Sequence, residues 1–91
     1  MKSKQFIGPF SSGESLDLGL SSVKYIQIGI ESPHSIPISE TSPVIVLSIN
    51  NVDYEIGEKD ILEFENLNLS QLSIIAKKIN NPYVIIDIAY E

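Results

Sequence analysis

Cysteine, tryptophan and arginine are absent from these 91 residues, and histidine and methionine occur once each, as His34 and Met1. Each absence removes a chemistry. Without cysteine there is no disulfide framework, no thiolate metal site and no sulfur nucleophile, and a lone imidazole does not build a multi-histidine metal site from one chain. Any nucleophile–base pair would have to use His34, which stands between Pro33 and Ser35 in a turn-rich stretch, and no G-x-S-x-G elbow is present. The glycines Gly8, Gly13, Gly19, Gly29 and Gly57 never reach a G-x-G-x-x-G or P-loop spacing. They read as turn residues, with Gly29 a bulge or close-contact site inside a strand. The expectation is a chain that is not an enzyme and holds no cofactor and no metal.

Positive charge is also scarce. Six lysines face twelve carboxylates, for a net charge of −6, and the isoelectric point is about 4.6. A nucleic-acid binder needs a basic stripe, preferably with arginines, and these lysines are scattered. Neither nucleic acid nor an anionic membrane surface is an expected partner. No apolar run approaches the roughly 18 residues of a membrane span. After Lys2 and Lys4, the pair Phe6-Ile7 is cut off by Gly8-Pro9, far short of the roughly 7–15 apolar residues of a signal peptide. The chain is therefore expected to be made and left in the cytoplasm, where the Asn68-Leu69-Ser70 sequon is a chance match.

What is present is short-range alternation. At 43% apolar residues and this length, one domain with one core is expected. Met1 to Ser22, punctuated by Gly8, Pro9, Gly13, Gly19 and serines, reads as an N-terminal arm or loop-rich lead-in (1–22), either docking on a neighbouring chain, or flexible, or an edge strand through Ser15 to Leu20. Residues 23–91 read as the folded domain. Ile26, Ile28 and Ile30 alternate with Gln27, Gly29 and Glu31, the period of a half-buried strand. Ile36 and Ile38 flank Pro37, which belongs at a sheet edge or in a loop.

The strongest local signal is a hairpin. Asn50-Asn51 tolerates the positive φ of a two-residue type I′ turn, and centring the turn there sets Ile49 opposite Val52, Leu47 opposite Tyr54 and Ile45 opposite Ile56. All six large apolar side chains then share one face. Gly57 to Asp60 forms a polar turn into a strand with Leu62 and Phe64 on one face and Glu63 and Glu65 on the other. Leu67 and Leu69 fall in the odd phase and Leu72, Ile74 and Ala76 in the even one, so residues 70–80 are either a strand entered through a bulge near Ser70-Gln71 or one short helix on Leu72, Ile75, Ala76 and Ile79. Val84, Ile86, Ile88 and Tyr90 line one face of a near-continuous apolar segment, as in a central strand. The fold class is thus all-β, a small antiparallel β-sandwich or jelly-roll-like domain. Its expected core is Ile26, Ile28, Ile30, Ile45, Leu47, Ile49, Val52, Tyr54, Ile56, Leu62, Phe64, Ile86 and Ile88.

Two sets of side chains invite a binding reading. Glu58 and Asp60, in a carboxylate-rich stretch with Asp53, Glu55, Glu63 and Glu65, offer oxygen ligands to calcium, although the spacing is not that of an EF-hand and the strand pairs alternate outward as a solvated acidic face would. Tyr25 and Tyr83 are the aromatics expected to be exposed, available to a glycan or a protein partner.

Several segments of the second half resemble a known family. Ser48 to Gly57 (S-I-N-N-V-D-Y-E-I-G), Ile61-Leu62-Glu63-Phe64, Leu67 to Ile74, and the ending Tyr83 to Glu91 (Y-V-I-I-D-I-A-Y-E) are similar to a recurring small β domain in virion structural proteins of tailed bacteriophages, common in phages and prophages of low-GC Gram-positive hosts. The likeness covers residues 44–91, with a fainter match of Ile26 to Ile30 to the family's leading strand. Asp60 and Asn51 stand where the family usually has glycine. The resemblance implies a β-sandwich attached to the outside of a phage particle as a head-decoration, head-fibre or tail-associated component, made in the host cytoplasm and carried on the virion. It also implies capsid or tail proteins as partners, an accompanying homo-oligomeric state, and no catalytic residues to transfer. The other reading that the residues allow is a carbohydrate- or calcium-binding β-sandwich adhesion module.

Overall fold

The computed structural model of the chain describes residues 1–32, 44–68, 74–80 and 83–91. Every regular element among them is a strand: β1 (Lys2–Ile7), β2 (Glu14–Leu16), β3 (Ser22–Glu31), β4 (Val44–Ile49), β5 (Val52–Gly57), β6 (Ile61–Asn68), β7 (Ile74–Ile79) and β8 (Ile85–Tyr90). They form two four-stranded sheets, ordered β1-β8-β3-β6 and β2-β7-β4-β5, with every pairing antiparallel.

The pairing is nested. β4 pairs with β5, β3 with β6, β2 with β7 and β1 with β8, so the chain behaves as one long hairpin whose tip is the β4–β5 turn. Rolling that hairpin up adds the pairs β3–β8 and β4–β7 and divides the strands between two sheets. Eight strands wound in this order are a jelly roll. The all-β sandwich expected from the alternation is what the chain forms.

The tip is where the sequence places it. Asn50 and Asn51 have φ of 51° and 66°, the left-handed conformation that both central residues of a type I′ turn require. Ile49 faces Val52, Leu47 faces Tyr54 and Ile45 faces Ile56. Ile45, Leu47, Ile49 and Ile56 are buried, Tyr54 packs against them, and Val52 is 51% exposed. Val52 is a correction to the expected core: it starts an edge strand immediately after the turn, at an open end of the sandwich. Ile26, Ile28, Ile30, Ile86 and Ile88 are buried as expected, with Leu62 and Phe64 partly so on the edge strand β6.

Of the readings open for the N-terminal lead-in, the edge strand is the one seen, as β2, and the segment is drawn into both sheets. β1 lies along β8 over six residue pairs from Lys2–Tyr90 to Ile7–Ile85, and β2 lies along β7. Phe10, Leu16 and Leu18 of this segment are buried in the common core, so the first strands close one side of both sheets. Gly13 and Gly19, at φ of 86° and 69°, turn the chain into and out of β2 in a conformation that other residues adopt at a cost.

Residues 74–79 are a strand and not a helix, with Ile74 and Ala76 buried. The register against β4 shifts between Val46 and Leu47: Val46 faces Lys78 while Leu47 faces Ala76, leaving Lys77 as the extra residue of a bulge. That bulge turns Ile79 back toward the core. Ala76 and Ile79 thereby acquire the three-residue spacing of a helix while remaining in a sheet. A second phase change occurs at Asn66, at φ of 53°, which separates the inward Phe64 from the inward Leu67. The bulge expected near Ser70-Gln71 lies outside the described residues, as do His34, Ile36, Pro37 and Ile38. Gly29 is neither bulged nor crowded. It pairs in register with Ile61 and Asp87, and a Cβ there would meet nothing within 4 Å.

Candidate functional site

With the core filled by alternate residues of each strand, the other set of alternate residues forms two outward sheet faces. The outer face of the first sheet reads in rows across β1, β8, β3 and β6: Ser3, Ala89, Gln27 and Glu63 in one, Gln5, Asp87, Gly29 and Ile61 in the next. Three small residues, Ser3, Ala89 and Gly29, leave a shallow depression of about 230 Å³ walled by Gln27, Ile61 and Asp87. Gln5 Nε2 donates to Asp87 Oδ1 at 2.6 Å across the strand pair. In the row beyond, Tyr25 stands among Glu63, Glu65 and Glu91. Partial desolvation, then the Glu63 charge and a hydrogen bond from the phenol to Glu63, with Glu65 and Glu91 adding to it, hold its hydroxyl above its ordinary pKa of 10.0. The phenol stays protonated across the physiological range and acts as a donor.

The outer face of the second sheet is mixed in charge. Lys77 Nζ reaches across β4 to Asp53 Oδ1 at 3.1 Å, over the buried Ser48 that lies between their strands. Both partners of that ion pair are about half exposed, so its contribution is at most about 1 kcal/mol. In the next row Lys78, Val46 and Glu55 line a smaller hollow with Val44 and Asn80.

The two lateral edges of the sandwich differ. Among the described residues, β5 and β6 are the edge strands on one side, carrying Asp53, Glu55, Glu63 and Glu65 and no lysine. Between them the sandwich is closed by Tyr54 and Phe64, edge to face at 5.2 Å and 74°, an arrangement that aromatic pairs favour. On the other side β1 carries Lys2 and Lys4 and no carboxylate, while the short edge strand β2 beside it carries Glu14. Lys4 Nζ donates to the Asp17 carbonyl at 3.1 Å and lies 5.1 Å from the Phe6 ring centre. Each lateral edge also presents one strongly exposed isoleucine on the outer face of the first sheet: Ile7, 68% exposed, on β1, and Ile61, 57% exposed, on β6.

The residues singled out for calcium are placed apart or put to structural use. Asp53, Glu55, Glu63 and Glu65 alternate outward along their strands. Asp60 closes its own turn, its Oδ2 accepting the Gly57 N–H at 2.8 Å while its N–H donates to the Gly57 carbonyl at 3.1 Å. Among the described residues no three of His, Cys, Asp and Glu stand where they could share a metal ion. Tyr83 is 50% exposed and Tyr25 half-buried; they belong to opposite ends of the first sheet and form no common platform.

No family model, curated protein or solved structure matches this chain. Its surfaces must therefore be interpreted from their own chemistry. The depression over Gly29 and the contrast between the two lateral edges had no counterpart in the expected residues. Both depend on which strands lie side by side, and the only local trace was the lysine pair of β1 set against the glutamate pair of β6.

Proposed function

We propose that this chain is a non-enzymatic structural component of a tailed-bacteriophage virion, attached on the outside of the capsid or tail by its sheet faces and edges. The observation that carries the reading is where the family-like segments fall. Ser48 to Gly57 is the tip of the nested hairpin, Ile61 to Phe64 opens the exposed edge strand β6, and Ile85 to Tyr90 is the strand β8 that joins β1 to β3. The resemblance thus follows the residues that set the roll's register and one of its free edges. A roll of this kind offers flat faces and open strand edges, which suit repeated docking on a large assembly. A fold alone assigns no function, so the reading rests on the resemblance together with those surfaces.

The test is composition. Phage particles banded on a density gradient from the source strain should contain this chain in stoichiometric amount with the major capsid or tail protein. Banded particles that lack it overturn the proposal. Calcium distinguishes the adhesion-module reading: a calcium titration that raises Tm, with the rise abolished by Asp60→Asn, would favour that reading. The proposal expects no rise, because among the described residues no three possible ligands stand where they could share the ion.

A further inference from the structure

Among the described residues, strands β1 and β6 are the two edges of the first sheet, and each is guarded against its own kind. A β6–β6 pairing between copies sets glutamates against glutamates, and a β1–β1 pairing brings Lys2 and Lys4 of the two copies together; like charges across a strand pair are destabilising. The unlike pairing has no such obstacle. Because β1 opposes β8, β8 opposes β3 and β3 opposes β6, β1 and β6 run in opposite directions. Continuing the sheet into a second copy therefore lays its β1 antiparallel along the first copy's β6.

We infer that copies of this chain associate head to tail, β1 of one extending the first sheet of the next at β6. An antiparallel register that sets Ile7 opposite Ile61 also sets Gln5 opposite Glu63 and Ser3 opposite Glu65, all outward on one face. The two most exposed isoleucines among the described residues cover each other, and hydrogen-bond donors on β1 meet the two carboxylates of β6. Lys2 and Lys4 approach the acidic β5–β6 side of the neighbour, where attraction steers the encounter. Blocked like pairings beside a matched unlike one give the contact its direction. Such an interface is heterologous, so it generates a ring or an open row of copies. The inference goes beyond the virion reading and does not depend on what the row is attached to.

Charge-swap complementation tests it, using exposed outer-face positions so that the core is untouched. By sedimentation velocity over a concentration series, the wild-type chain is expected to rise in mass beyond a dimer. Ser3→Glu/Ile7→Glu faces the unchanged Glu65 of the neighbour, and Ile61→Lys/Glu65→Lys loses the isoleucine contact. Each variant alone should associate about tenfold or more weakly, with an unchanged circular dichroism spectrum. Mixed in equal amounts, the two should associate again, since the acidic β1 of one meets the basic β6 of the other. A wild type that stays monomeric throughout, or variants that associate as the wild type does, would overturn the head-to-tail contact. So would a mixture that remains monomeric. None of these results bears on whether the chain is found in phage particles.

Discussion

Deleting residues 1–16 is expected to unfold this domain, not to trim it. The deletion removes β1 and β2 whole, and with them the buried Phe10 and Leu16. Burying two such side chains contributes roughly 3–6 kcal/mol, against a total stability of about 5–15 kcal/mol for a domain of this kind. The loss does not end there. β8 and β7, interior strands in the intact sheets, become edges whose backbone groups lose their partners over all of β1 and β2. Exposed edges with the composition of Ile85-Ile86-Asp87-Ile88 pair with other chains. The fragment 17–91 should therefore lack the cooperative melt of the full chain and precipitate on concentration. If residues 1–16 were a dispensable arm, the fragment would keep the full-length Tm, and a thermal melt followed by circular dichroism separates the two outcomes.

Leu47→Ala carries the second large effect. Leu47 is fully buried on β4, an interior strand, between Tyr54 of β5 and Ala76 of β7. Truncating a buried leucine costs about 2–5 kcal/mol, which for a domain of this size lowers Tm by roughly 8–40 °C. Val52→Ala makes the matching control, since it lies on the same face of the same hairpin and removes a comparable apolar side chain. Its side chain is 51% exposed at the open end, and the change is expected to stay within about 0.5 kcal/mol. Urea melts of the two variants give the comparison, and equal losses would contradict the burial pattern of the hairpin.

That contrast shows what was legible in the sequence. Alternation identifies the strands and the inward set of residues, and Asn50-Asn51 fixes one register, because both operate between near neighbours. Val52 obeys the alternation and is still exposed, since burial also depends on how far the opposite sheet extends over it. Ile74 to Ile79 was ambiguous for a related reason. The bulge at Lys77 lengthens one inward step from two residues to three, and a step of three is what a helix shows. Val23 to Ile26 and Phe64 to Leu67 carry the same three-residue step between inward residues, the latter at the left-handed Asn66. In the N-terminal segment the glycines and serines that suggested an arm mark the turns between β1, β2 and β3, and Phe10, Leu16 and Leu18 were the available signal of burial. The pairing of strands far apart in sequence was not legible, because nested order is a property of the whole roll. The candidate surfaces follow from that order, so they were hidden with it.

The meeting of the chain's first and last strands therefore supports everything else: the closed core, the identity of the free edges, and the surface left for docking. Ser3 and Ala89 are partners across β1 and β8, outward-facing, in a chain without cysteine. Directly paired cross-strand residues have Cβ atoms about 4.5–5.5 Å apart, near enough for a disulfide after small adjustment. Ser3→Cys/Ala89→Cys, oxidised at low concentration, should form an intramolecular disulfide and raise Tm. A control pair, Ser3→Cys/Glu31→Cys, should stay reduced, because Glu31 pairs with Ile85 and not with this row. Failure of the first pair to close while the control closes, or a disulfide formed only between chains, would contradict the nested roll.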